Sequence, residues 1–206
     1  MKKCLARIHW WEGLLCLSLV TALALDCRTY VRQQTLAQKV VRLHVLANSD
    51  SESDQTLKQQ VKDCVYGRTE ELLRRSRTRG EAVQRLEQAL PTLQAAAQET
   101  VRQAGYDYPV ELRLEETSFP NRSYGGFSLP AGEYLALRVL IGEAEGRNWW
   151  CVVFPPLCAA AVTEWEQVAL EGGFSEEEVA LLAEDDTVEL KLWIVEKWKA
   201  LRQEAD

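Results

Sequence analysis

Gly146-Arg147-Asn148-Trp149-Trp150-Cys151-Val152-Val153-Phe154-Pro155-Pro156-Leu157-Cys158 reads as turn, strand and stop. Gly146 and Asn148 are turn formers. Trp149 to Phe154 is an unbroken aromatic and β-branched run, which suits a strand covered on both faces. Pro155 and Pro156 have no N–H to donate and cannot extend a ladder. Two cysteines bracket the run. Taken alone, the pattern favours a buried central strand with incidental thiols. The sharper alternative is a Cys151–Cys158 disulfide that folds the exit of the strand back, which requires the two Cα atoms to lie within about 7 Å.

The N-terminus bears on that choice. Lys2, Lys3 and Arg7 form a basic start, Gly13 to Leu25 is uncharged and mostly apolar, and Ala22-Leu23-Ala24 has the small-x-small pattern of a cleavage site. The apolar run is short of the roughly 20 residues that span a bilayer. Extending it back to Ile8 would bury His9 and Glu12. Residues 1–25 are therefore expected to be a signal peptide or an N-terminal membrane anchor, with cleavage the preferred reading. Export removes Cys4 and Cys16 and leaves Cys27, Cys64, Cys151 and Cys158. Outside the cytoplasm a close pair reads better as a disulfide than as a metal site. Only His44 remains as a histidine, so no metal set is expected.

The full chain carries a formal charge of −7. Without residues 1–24 it keeps 21 basic and 30 acidic residues. That balance argues against nucleic acid or anionic lipid as main partner. The remaining length suits a single domain.

Residues 26–39 read as a polar helical or irregular lead-in. Residues 40–206 read as one exported domain of α+β class: a small mixed or antiparallel sheet with two long helices on one face. Val40 to Leu46 is expected as a strand, with Val41, Leu43 and Val45 on one face and Val40, Arg42, His44 and Leu46 on the other. Ala47 to Ser51 is a polar turn able to cap a helix from Glu52 to Arg75, whose apolar stripe is Leu57, Val61, Cys64 or Val65, and Leu72. A second helix, Glu81 to Ala104, should kink or restart at Pro91 and close at Gly105. Val110, Leu112 and Leu114 mark a half-exposed strand, Phe119 to Leu129 a loop, and Glu133 to Ile141 a further strand. Gly142 to Arg147 reads as a hairpin turn into the tryptophan strand. The region from Glu164 to Leu190 has ten acidic residues and no basic one, and reads as a solvated surface. Within it Ser175 to Glu178 forms a capping box for a short helix to Ala183. Val188 to Leu192 is a candidate strand and Ile194 to Arg202 a candidate closing helix.

No catalytic set emerges. His44 has Ser49 and Asp50 near it in sequence, but no nucleophile elbow surrounds Ser49, so a strand histidine beside a capping loop is preferred. A competing class is an exported cell-wall hydrolase using Asp50, Asp54 and Glu133, with Trp149 and Trp150 as a sugar platform. A passive glycan-binding module would need those tryptophans exposed.

Three stretches together resemble the stage II sporulation protein R family of endospore-forming bacteria. The first is Arg42-Leu43-His44-Val45-Leu46-Ala47-Asn48-Ser49-Asp50-Ser51 with Asp54-Gln55 and Leu57-Lys58. The second is Phe119-Pro120 through Tyr124-Gly125 to Pro130-Ala131-Gly132-Glu133-Tyr134, with Ala136-Leu137-Arg138-Val139. The third is Gly142 to Cys158. Ala144 departs from a turn expected to be richer in glycine, and Ala159 to Ala161 lack expected bulk. The resemblance implies a non-enzymatic signal made in the forespore and exported into the intermembrane space, secreted or N-terminally anchored. There it would trigger a membrane-embedded aspartic protease of the mother cell that processes pro-sigma-E. It implies no cofactor, no nucleic acid and no small-molecule substrate. The polar loops offer the contact residues: Asn48, Ser49 and Asp50, with Asn121, Tyr124 and Gly125. Asn48 and Asp50 have a competing reading as helix caps.

Overall fold

The structure, a computed structural model, describes residues 10–124, 126–158 and 164–183. The chain falls into two units, residues 1–36 and 37–206. The described residues of the first unit lie in one helix, α1 (Trp10–Ala37), which runs on past Leu25 through most of the lead-in. Among the described residues no helix is long and apolar enough to cross a membrane.

The second unit is of α+β class. In chain order it contains β1 (Val41–Leu46), α2 (Glu52–Leu73), α3 (Arg79–Gln103), β2 (Val110–Phe119), β3 (Arg122–Ser123), β4 (Ser128–Leu129), β5 (Gly132–Ile141), β6 (Asn148–Phe154), α4 (Trp165–Glu171) and α5 (Glu176–Ala183). Four strands form one mixed sheet in the order β2-β5-β1-β6, and β3 and β4 form a separate small hairpin. β1 is parallel to β5 and antiparallel to β6, while β2 and β5 are antiparallel.

This order corrects two expectations. Gly142 to Arg147 is not a hairpin turn, because β1 lies between β5 and β6 and the turn passes over its end. The tryptophan strand β6 is at the edge of the sheet, although Cys151 to Phe154 are buried. Its hydrophobicity reflects cover on both faces, which sequence cannot tell from a central place in the ladder.

The alternation in β1 holds. Val41, Leu43 and Val45 join a core with Leu57, Val61, Val65 and Leu73 of α2, Leu86, Leu93, Ala97 and Val101 of α3, and Leu137, Val139 and Ile141 of β5. Each large side chain buried there contributes about 1.5–3 kcal/mol. The stripe of α2 proceeds in four-residue steps through Thr69 to Leu73; Cys64 and Leu72 are only partly buried. α3 passes through Pro91 without interruption. Pro91 is exposed, so water can satisfy the carbonyl left without a donor. Gly105, at φ +86°, ends α3 as expected, with Tyr106 N–H donating to the Val101 carbonyl and Gly105 N–H to that of Arg102.

α3 also seals part of the β2 edge. Gln98 Oε1 accepts from Val110 N–H at 2.8 Å and Gln94 Oε1 from Leu112 N–H at 3.1 Å. β2 runs on to Phe119, which is buried rather than the start of a loop. The Ser175–Glu178 capping box forms, with Ser175 N–H donating to Glu178 and Glu178 N–H to Ser175 Oγ. Val188 to Leu192, Ile194 to Arg202 and Ala159 to Ala161 lie outside the described residues.

Candidate functional site

The residues singled out by sequence sit at both ends of β1. At its C-terminal end, Ala47 to Ser51 leads into α2, and Ser51 is the N-cap, accepting from Asp54 N–H at 3.2 Å. Asn48 and Asp50 do not cap this helix. Asn48 Nδ2 donates to Asp54 Oδ2 at 2.8 Å, and Asn48 Oδ1 accepts from Glu143 N–H at 3.0 Å. Asp50 Oδ1 accepts from Arg147 N–H at 2.6 Å, and Ser49 Oγ donates to Asp54 at 2.6 Å. Backbone bonds from Gly146 to Ala47 and from Glu145 to Asn48 complete the join.

Lys58, almost fully buried, donates to Gln55 Oε1 at 2.6 Å and to the Arg147 carbonyl at 2.9 Å. Burial lowers its pKa. The bond from Ser49, with those from Asn48 and Ser51 behind it, holds the Asp54 carboxyl below its ordinary range against the opposing effect of burial. The polar groups of this motif are thus largely spent on joining the 47–51 turn, the start of α2 and the 142–147 turn into one knot.

The other candidate surface is the sheet face without the long helices. Along β1 it carries Arg42 and His44; β5 adds Tyr134, Ala136 and Arg138, and β6 adds Asn148, Trp150 and Val152. His44 stacks on Trp150 with centroids 3.8 Å apart, and its Nε2 pairs with Asn148 Oδ1 at 2.7 Å. Burial lowers its pKa to about 4, so it is uncharged at neutral pH. Ser49 is turned to Asp54 and is no partner of His44. Arg138 pairs with Glu115, and Arg113 with Glu111 at 2.6 and 2.7 Å.

At the N-terminal end of β1, Arg42 is fully buried. Its guanidinium carbon lies 3.9 Å from the Phe119 ring centre, 4.8 Å from that of Tyr134 and 5.8 Å from that of Tyr124. Arg42 Nη2 donates to the Tyr124 hydroxyl. Burial lowers the Arg42 pKa and pushes that of Tyr134 up to about 12. Tyr124 rises for the same reason.

Asn48, Ser49 and Asp50 therefore lie at one end of the sheet, and Asn121 and Tyr124 at the other. The parallel register of β1 with β5 places the 120–131 connection beside the start of β1 and the 142–147 turn beside its end. At about 3.3 Å per residue, the ten-residue β5 separates the two by about 30 Å. The two loops do not form one patch. Asn121, exposed, uses Oδ1 to accept from Ala131 N–H, and Gly125 lies outside the described residues.

The carboxylates weighed for glycan chemistry are likewise apart. Asp50 and Asp54 belong to the knot, whereas Glu133 is at the far end of β5. Trp149 and Trp150 are both half-buried and, as neighbours in a strand, point to opposite faces. Trp149 packs against the core, with Lys62 Nζ 4.6 Å from its ring centre. The two rings cannot form one platform. Cys151 and Cys158 form a disulfide with Cα atoms 5.7 Å apart; Cys64 is a free, half-buried thiol. Among the described residues no group of three or more His, Cys, Asp or Glu side chains could hold a metal ion.

Sequence reading missed Arg42. Its signal was present, a cation alternating with Val41 and Leu43 in a short apolar strand. The rings that receive it come from residues 119, 124 and 134, and only tertiary structure assembles them.

Residues 37–164 match the family described as Stage II sporulation protein R. A curated relative, Stage II sporulation protein R of Bacillus subtilis (strain 168), is 36% identical over 133 residues, covering 65% of this chain and 59% of the relative. The chain thus spans somewhat under two thirds of that relative's length. No solved structure matches the chain at a significant level.

Proposed function

The chain belongs to the stage II sporulation protein R family, and from that premise we propose that it is an exported signal between the two compartments of a sporulating cell. Made in the forespore and delivered to the intermembrane space, it activates a membrane-embedded aspartic protease of the mother cell that processes pro-sigma-E. It acts by contact and catalyses no cleavage itself. The observation that carries this reading is the extent of the family match, residues 37–164, which takes in the whole four-strand sheet with α2 and α3. The geometry is in keeping with it. The polar motif residues build a rigid scaffold, and the carboxylates that a hydrolase would need are placed at opposite ends.

The test is reconstitution in a non-sporulating host that makes the protease and pro-sigma-E. Adding the 206-residue chain with its N-terminal segment should produce processed sigma factor; a version lacking residues 1–25 should not. Equal processing without the chain, or hydrolysis of peptidoglycan by the purified protein alone, would overturn the proposal.

A further inference from the structure

Arg42 is the largest of the fully buried side chains among the described residues. It is fully buried, and among the described residues its Nε and Nη1 have no hydrogen-bond partner and it forms no ion pair. The carboxylate nearest in register, Glu115, lies two strands away in the row Glu115–Ala136–Arg42 and is taken by Arg138. A buried cation without an anion destabilises a fold, and an apolar side chain of similar size usually serves stability as well or better. Proximity to three ring faces offsets only part of that cost. Packing alone does not account for this residue.

What Arg42 does touch is informative. Its three rings come from the end of β2, the start of β5 and the β3–β4 hairpin. That hairpin has two residues in each strand and two register pairs, too little to hold an orientation unaided. It is fixed from below. Tyr124 accepts from Arg42 and stacks on Phe127 at 5.0 Å, and Phe127 meets Trp165 at 5.3 Å. The Tyr134 hydroxyl donates to the Pro130 carbonyl at 2.7 Å and holds the returning arm. Above this anchor Asn121, Arg122 and Ser123 are exposed.

We infer that Arg42 is a positioning residue of the signalling surface: through Tyr124 it sets the 121–124 segment in the orientation that the partner protease reads. The inference rests on the proposed function and adds to it the end of the sheet that makes contact. Arg42 touches no partner itself.

The full chain is assayed in the reconstituted host with Arg42→Met, Arg42→Lys, Tyr124→Phe and the Arg42→Met/Tyr124→Phe pair. Arg42→Met should keep or raise the melting temperature, whereas Tyr124→Phe, which leaves Arg42 Nη2 buried without its acceptor, should lower it modestly; each should raise the dose for half-maximal processing by about tenfold or more. The pair should be no worse than Arg42→Met alone, since both remove one linkage. Arg42→Lys, which keeps a donor, should recover part of the signal. Wild-type dosage in folded Arg42→Met and Tyr124→Phe overturns the inference, as does an additive loss in the pair. Should Arg42→Met fail to fold, Tyr124→Phe decides, since it removes one oxygen only. Amide exchange gives a readout free of the protease: Tyr124 and Ser128 should exchange faster in Arg42→Met while α2 and α3 are unchanged. Unaltered exchange there overturns the positioning role even if signalling falls. A silent wild type with faster exchange in the variant overturns the proposed function and leaves the anchor standing.

Discussion

The two ends of β1 are held by different physics. At the C-terminal end, side chains and backbone of residues 47–58 and 142–147 satisfy one another through short hydrogen bonds. At the N-terminal end the connections are a disulfide, aromatic ring contacts and a guanidinium held among rings with a single tyrosine hydroxyl as hydrogen-bond partner. The first end is rich in the polar residues that sequence reading nominates for recognition, and it spends most of them internally. The second leaves Asn121 to Ser123 exposed on a small hairpin. A dense polar motif is thus as readily the signature of a tight internal joint as of a contact surface.

The joint should break most sharply at Gly146. A Cβ there would overlap the Ser49 carbonyl oxygen and come within 2.6 Å of its carbon and 2.9 Å of Ala47 Cβ. Backbone stands in the way, so the turn itself must shift. Gly146→Ala should cost about 3 kcal/mol, measured by urea denaturation, the upper part of the range for overpacking. A loss under about 1 kcal/mol would show that the two turns are not locked together.

The other end should respond to reduction. An eight-residue loop closed by Cys151 and Cys158 contributes about 2.5 kcal/mol in the chain-entropy treatment. Melting with and without reductant, with the thiols alkylated, measures it. Faster amide exchange should centre on residues 154–158 and leave Asn48 to Ser51 unchanged. Loosening of both ends together would erase the distinction between them.

The parts legible in the sequence are those governed by local rules. The faces of β1 follow from strict alternation, the termination of α3 from Gly105, and the start of α5 from the Ser175 box. What was not legible depends on which distant strand comes between two near ones. Gly142 to Arg147 has the composition of a hairpin turn, and nothing local reveals that β1 fills the gap it spans. The same holds for the candidate site. Asn48 and Asp50 carry short polar side chains suited to capping or binding, and their partners prove to be backbone N–H groups almost a hundred residues away. Arg42 was hidden for a similar reason, because its aromatic surroundings come from three separate segments.

The acid response should also separate the ends. Asp54 has a folded pKa below its ordinary 3.8, chiefly through Ser49. A depressed carboxylate contributes stability that is complete above the unfolded pKa and is lost as pH falls through the folded one. The knot should therefore weaken below about pH 4. Asp54→Asn should cost about 2 kcal/mol near neutrality, in line with losing charge-assisted bonds at a buried site. It should also flatten the stability curve below about pH 4, followed by denaturant titration at each pH. An unchanged acid limb would assign the loss to other carboxylates.

The smallest effect tests the turn residue that departs from the expected pattern. Ala144 sits at φ +56°, in the left-handed region, in a turn that the family resemblance led one to expect richer in glycine. An L-residue there costs about 1 kcal/mol or slightly more, because Cβ crowds the following carbonyl. Glycine removes that strain but gives the unfolded chain more freedom, worth about 0.4–1 kcal/mol in the opposite direction. The strain is the larger, so Ala144→Gly should stabilise by about 0.5 kcal/mol. Ala144→Val should destabilise by more than about 1 kcal/mol, since branching at Cβ worsens the crowding. Neither change touches residues 121–124, so both variants should signal at the wild-type dose. A gain in stability accompanied by lost signalling would move the contact surface to the knot end and reverse the contrast between the two ends.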